Sequence, residues 1–107
     1  MKGGACVAFI GFALTAAFIS PVEAAVIRIA ISNVAFPPKK VTARVGDTVE
    51  WTNKDFVAHT ATARDGTWDV NLPPGKSGST VMEKAGKIQY YCRYHPTMKG
   101  EIDVSPR

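Results

Sequence analysis

The sequence predicts an all-β domain, a Greek-key β-sandwich of about seven to eight strands. Three observations carry that prediction: short runs with period-2 alternation, turn residues between them, and no stretch of helical periodicity. In Val26 to Ile31, Ile27, Ile29 and Ile31 fall on one side and Arg28 on the other. Val41, Ala43 and Val45 alternate against Thr42 and Arg44, and Gly46-Asp47 follows as a turn. Val49, Trp51 and Asn53 share the next inward face. Ala58 to Ala63 is short and β-compatible, Ser79 to Lys84 leads into the Ala85-Gly86 turn, and Ile88, Tyr90 and Cys92 share another inward face. Gly100 to Val104 closes the set. Such patterns between Gly, Pro and Asp punctuation imply antiparallel pairing. The segment from Arg64 to Ser77, with Pro73-Pro74 and several turn residues, reads as a loop crossing between sheets, with one short edge strand near Trp68.

The first 24 residues read as an export signal rather than as part of this fold. Lys2 gives a positive start, Ala5 through Ile19 is uncharged and almost wholly apolar, and Ser20-Pro21 breaks the run before Val22-Glu23-Ala24. The apolar run is shorter than the roughly 18 residues a membrane span needs, so cleavage after Ala24 and no stable membrane insertion are expected. A periplasmic location follows, with residues 25–107 as the mature domain.

That domain has 83 residues (107 − 24) and retains one of the two cysteines, Cys92, since Cys6 leaves with the signal. A domain of this size gains only modest stability from hydrophobic burial, and small exported domains compensate with disulfides or metals. A single cysteine excludes an internal disulfide, which leaves a metal. The net charge of +4 is spread along the chain without a long basic block. An exported protein rarely meets nucleic acid, so a docking field for an acidic protein, or a plain solvated surface, fits better. A monomer is expected.

The chemistry concentrates in Tyr91-Cys92-Arg93-Tyr94-His95-Pro96-Thr97-Met98-Lys99-Gly100. Thiolate, imidazole and thioether donors recur at intervals of three, directly after an inward-facing strand position. With His59, the other histidine of the chain, they make two nitrogens, one strong sulfur and one weak axial sulfur. That donor set suits copper. Zinc would recruit further cysteines or a carboxylate, and calcium or magnesium would want oxygens. One copper ion per chain, on His59, Cys92, His95 and Met98, therefore accounts for every histidine and the one retained cysteine. Pro96 stiffens the loop, and Gly100 lets the backbone re-enter the last strand.

The pattern Phe36-x-Pro38-x-x-Val41, Val45-Gly46-Asp47-Thr48-Val49-x-Trp51-x-Asn53, His59, then Cys92-x-x-His95-x-x-Met98-x-Gly100 resembles the cupredoxin family of blue copper proteins, and within it the amicyanin group. The resemblance implies a single type 1 copper in a β-sandwich, with His59, Cys92 and His95 equatorial and Met98 axial. It also implies a surface-reaching His95 as the electron exit, a dehydrogenase as donor and a c-type cytochrome as acceptor. Thr60, Asn53, Tyr94 and Pro96 are the supporting residues. Two positions depart from the amicyanin pattern. Thr60 stands where an Asn usually ties the two ligand loops together, and its hydroxyl can make part of that link. Arg93-Tyr94 replaces a segment that commonly holds Pro, so Tyr94 keeps a backbone N–H able to reach the Cys92 sulfur.

Other functions account for less of the sequence. A Cys92–His59 nucleophile pair leaves His95 and Met98 unexplained and has no orienting carboxylate at suggestive spacing, so an enzyme is not expected. A copper carrier or reservoir would use similar ligands, but it would favour open, Met-rich sites over one methionine in a compact loop.

Overall fold

The computed structural model describes Gly11 and residues 23–107. The expected export signal, with Cys6, Ser20 and Pro21, lies outside the described residues apart from Gly11, Glu23 and Ala24. Eight strands follow: β1 (Val26–Ile31), β2 (Lys40–Arg44), β3 (Thr48–Asn53), β4 (His59–Ala63), β5 (Asp69–Leu72), β6 (Ser77–Val81), β7 (Gly86–Tyr91) and β8 (Lys99–Ser105). They form a three-stranded sheet ordered β1-β3-β6 and a five-stranded sheet ordered β2-β8-β7-β4-β5. Among the described residues no helix is long and apolar enough to cross a membrane.

The alternation read from the sequence sets the inward faces. Ile29, Ile31, Val49, Trp51, Ala43, Tyr90, Cys92, Ile102 and Val104 are all buried. The edge strand expected near Trp68 is β5, and the chain does cross from one sheet to the other between β5 and β6. Two features differ from the expectation. The sheets are mixed: β1 runs parallel to β3, and β2 parallel to β8. Parallel neighbours need a crossover, and β2, lying in the other sheet between β1 and β3, supplies one. Strand β6 also ends at Val81, because Met82 turns inward to the core and bonds the β2–β3 turn through Met82 N to Asp47 O (2.8 Å) and Gly46 N to Met82 O (2.8 Å).

An aromatic cluster fills the space between the sheets. Tyr90 meets Phe36, Trp51 and Trp68 with ring centroids 4.6, 5.4 and 5.7 Å apart, and Trp51 Nε1 donates to the Tyr90 hydroxyl at 3.3 Å. Burial pushes the Tyr90 hydroxyl up to about 12, so it stays a neutral acceptor for that N–H. The role of Gly100 differs from the one anticipated. It pairs directly with Tyr90, and a Cβ there would clash with the phenol group, nearest its Cζ. Close approach, rather than a left-handed turn, requires glycine at this position.

At the pole of the sandwich where β7 begins, one carboxylate gathers three parts of the chain. Asp47 accepts from Ala25 N (2.9 Å) and Arg44 N (2.8 Å), and it pairs with the Arg107 guanidinium. The Ala25 and Arg44 N–H donors, reinforced by Arg107, hold the Asp47 carboxyl below its ordinary value. A lowered folded-state pKa means that the carboxylate stabilises the fold above the unfolded value. The contribution is lost as pH falls through the folded value. Asp47→Asn should therefore flatten the acid limb of the stability profile and lower stability at neutral pH. Urea unfolding across a pH series measures both effects.

Candidate metal centre

The opposite pole carries the donors. Strand β4 is antiparallel to β7, with Thr62 opposite Tyr91 and Ala63 opposite Tyr90. Continuing that alignment past the end of β7 sets the start of β4, His59 and Thr60, beside the chain that has just left it, Cys92 and Arg93. Strands β7 and β8 pair as a hairpin from Gly86–Val104 to Tyr91–Lys99, so residues 92–98 form its loop.

Three backbone hydrogen bonds explain the spacing of three within that loop. His95 N donates to Cys92 O (3.3 Å), Met98 N donates to His95 O (2.8 Å), and Cys92 N donates to Met98 O (3.0 Å). Two consecutive four-residue turns thus put Cys92, His95 and Met98 at their corners. The third bond closes the loop. Pro96 sits second in the His95–Met98 turn, where a fixed φ favours the turn.

The donor atoms of His59, Cys92 and His95 lie within 4.8 Å of one another. Each histidine presents Nδ1 to Cys92 Sγ, both at 3.7 Å, and the two rings meet edge to face at 5.1 Å. Cys92 is an unpaired thiol and, like His59, fully buried, whereas His95 is half-buried. Met98 is buried at the last corner of the loop. Two imidazole nitrogens and a thiol facing one point, without a carboxylate among them, fit copper better than zinc or a hard cation.

Thr60 joins the two donor segments. Its N–H donates to Cys92 Sγ (3.4 Å), and its hydroxyl oxygen accepts from Arg93 N (2.9 Å). The hydroxyl lies 2.9 Å from that of Thr62, which donates to Asp69 Oδ1 (2.6 Å), and Arg93 Nε returns to the same oxygen at 3.2 Å. Arg93, Thr60, Thr62 and Asp69 therefore close a ring of hydrogen bonds around the exit of Cys92. Because Thr62 gives its proton to Asp69, the Thr60 hydroxyl donates to Thr62 while accepting from Arg93. The Thr62 hydroxyl, then Arg93, hold the Asp69 carboxyl below its ordinary value. The backbone N–H that reaches Sγ is that of Thr60, and the Tyr94 residue is exposed.

Asn53, fully buried, shapes the β3–β4 loop. Its Nδ2 donates to Val57 O (2.8 Å) and Leu72 O (2.9 Å), and its Oδ1 accepts from Asp55 N (2.9 Å). Asp55, which sequence reasoning passed over, sits 2.8 Å from His59 Nε2. The spacing Asn53-x-Asp55-x-x-x-His59 was the available signal. Phe36 is buried against Tyr90, while Pro37 and Pro38 are exposed along an open groove beside Met98.

An all-β sandwich of eight strands with a bis-imidazole and thiol cluster at one pole defines a cupredoxin. The chain belongs to the cupredoxin-like domain family, whose model matches residues 5–104. It is 30% identical over 102 residues to the methylamine utilization protein MauL of Methylorubrum extorquens, covering 92% of this chain and 89% of that protein. Amicyanin-alpha of the same organism is 31% identical over 80 residues, 69% of this chain and 67% of the relative. Among solved structures, a purple cupredoxin from Nitrosopumilus maritimus superposes with a TM-score of 0.67 at 30% identity, covering 74% of this chain and 99% of that one. An oxidised amicyanin variant superposes equally well (TM-score 0.67) at 24% identity, over 74% of this chain and 81% of its own. Cupredoxins such as amicyanin are electron-transfer proteins that bind copper, not enzymes. His59, Cys92 and His95 are positioned as a potential single copper site.

Removing the Thr60 hydroxyl should leave Arg93 N without its acceptor and take from Thr62 the hydrogen bond it accepts, while Thr62 keeps Asp69. Thr60→Val is expected to cost about 1–3 kcal/mol, read from urea unfolding of the metal-free protein, and Thr60→Ser should recover most of it.

Proposed function

We propose that this chain is an exported type 1 blue copper protein that carries single electrons between redox partner proteins. His59, Cys92 and His95 are its equatorial ligands and Met98 its weak axial one. The observation that carries this reading is the convergence of two Nδ1 atoms and one buried Sγ within 4.8 Å in a chain of the cupredoxin-like family. Bound copper supplies a one-electron Cu(II)/Cu(I) couple. The chain's own residues hold the donors still. The two turns fix Cys92, His95 and Met98 relative to one another, Asn53 shapes the loop that leads to His59, and the Thr60 ring ties both segments together. A pocket braced by these hydrogen bonds suits electron exchange better than metal delivery, which favours the redox carrier over a copper reservoir. Thr60 N–H, aimed at Sγ, fixes where the sulfur sits. Half-buried His95 is the donor nearest to solvent and the natural exit for the electron. A dehydrogenase as donor and a c-type cytochrome as acceptor are the partner classes the family suggests.

The copper-loaded protein should show the intense visible absorption of a copper–thiolate bond and cycle between oxidised and reduced forms without losing metal. Cys92→Ser should abolish the colour. Met98→Gln should keep the copper but lower the reduction potential, since a harder axial donor favours Cu(II). A colourless wild-type complex, or an unchanged potential in Met98→Gln, would count against the corresponding ligand.

Export with cleavage after Ala24 belongs to the same reading. Ala25 N already donates to Asp47, so the new amino group would meet a carboxylate in place. Amino-terminal sequencing of protein secreted by the native host should begin Ala25-Val26-Ile27. A start elsewhere would relocate the cut.

A further inference from the structure

Asp55 holds a position that neither the ligand set nor the family resemblance accounts for. Its side chain lies on the loop between β3 and β4 and is only 17% exposed, although the next residue, Phe56, is fully exposed. Oδ2 lies 2.8 Å from His59 Nε2 and also accepts from Val34 N at 2.9 Å, while Oδ1 accepts from Asn33 N at 2.9 Å. Asn53 fixes the start of this arrangement by accepting from Asp55 N. Three donors from two other segments therefore converge on one carboxylate.

The two backbone donors come from an unusual turn. Asn33 and Val34 both have positive φ, 52° and 55°, between the bridged residues Ser32 and Ala35. A β-branched residue in the left-handed region is a genuine outlier, and it persists only where its surroundings over-determine it. Asp55 is that surrounding group: the turn points two successive N–H groups at it, and they prevent it from swinging away from His59.

The chemistry of the contact is directional. An ionised carboxylate only accepts, so His59 must carry its proton on Nε2 and present the Nδ1 lone pair toward Cys92. A negative charge bonded to a ligand ring also makes that ring a stronger donor, and it favours the more highly charged of two metal oxidation states. We propose that Asp55 is a positioning residue of the copper centre, locking His59 with Nδ1 toward Cys92 and biasing the bound ion toward Cu(II). The bias rests on the copper reading above, whereas the locked ring can be tested without metal.

Two measurements on the full mature protein decide it. In the metal-free wild type, nitrogen NMR of the imidazoles in mildly alkaline buffer should show His59 as the Nε2–H tautomer. An Nδ1–H ring would overturn the Asp55 contact whatever the metal. In the copper-loaded protein, Asp55→Asn should raise the reduction potential, increasing the Cu(I)/Cu(II) ratio at fixed poise about tenfold, or 59 mV for one electron. Asp55→Glu should return most of the shift. Asp103→Asn, which removes an exposed carboxylate from the opposite half of β8, should change the ratio less than twofold. An Asp55→Asn protein that stays coloured with a wild-type potential would overturn the bias. So would a shift of equal size in Asp103→Asn. If Asp55→Asn does not fold, the wild-type tautomer still decides the contact, and Asp55→Ser, which also removes the charge, decides the potential. A wild type that forms no coloured copper complex would instead overturn the electron-carrier reading and, with it, the bias alone.

Discussion

The antiparallel pairing of β4 with β7 is the constraint on which the rest of the molecule depends. Only two residue pairs are laddered between them, yet that short contact decides which residue of one segment faces which residue of the other beyond the strand ends. Slipping it by one position would turn Cys92 to the opposite face and carry Thr60 away from Arg93. The aromatic cluster around Tyr90 secures this register from behind. The Tyr90 ring leaves no room for a side chain at position 100 and takes a hydrogen bond from Trp51 in the facing sheet. Core packing and donor placement are thus one problem, solved along a single strand.

Around the donors, the chain uses two kinds of support. On the sulfur side, neutral hydroxyls relay hydrogen bonds between a half-exposed ion pair and the buried thiol segment. An isolated pair of that exposure contributes little; closing it into a ring with Thr60 and Thr62 gives it a geometric role. On the nitrogen side, one charged group does the orienting, and a strained turn holds that group in place. The Thr60 N–H draws electron density from sulfur while the Asp55 carboxylate returns it to the imidazole, so the two supports act on a bound ion in opposite senses.

Much of this was legible in the residues. Alternation placed Val49, Trp51, Asn53, Tyr90 and Cys92 inward, and the interval of three from Cys92 to Met98 foretold a turn-built loop. Thr60, read as a supporting residue, has a hydroxyl that accepts from Arg93 N. Strand orientation was not legible, because period-2 alternation is the same whether a neighbour runs parallel or antiparallel. The start and end of β6 were also missed: Ser77-Gly78-Ser79-Thr80-Val81 alternates only weakly. Asp55 and Asp69 escaped notice for a common reason. An acidic residue in a polar loop reads as solvated, and only three-dimensional proximity reveals a buried partner.

The tie at Asp47 has a further consequence. Ala25, just ahead of β1, and Arg107, just after β8, are both anchored there, whereas the donors sit at the start of β4 and beyond the far end of β7. A six-residue strand spans roughly 20 Å, which separates the two poles. An attachment made beside Ala25 or Arg107 would therefore hold the molecule with His95 facing away from it, and the route for electrons would stay clear.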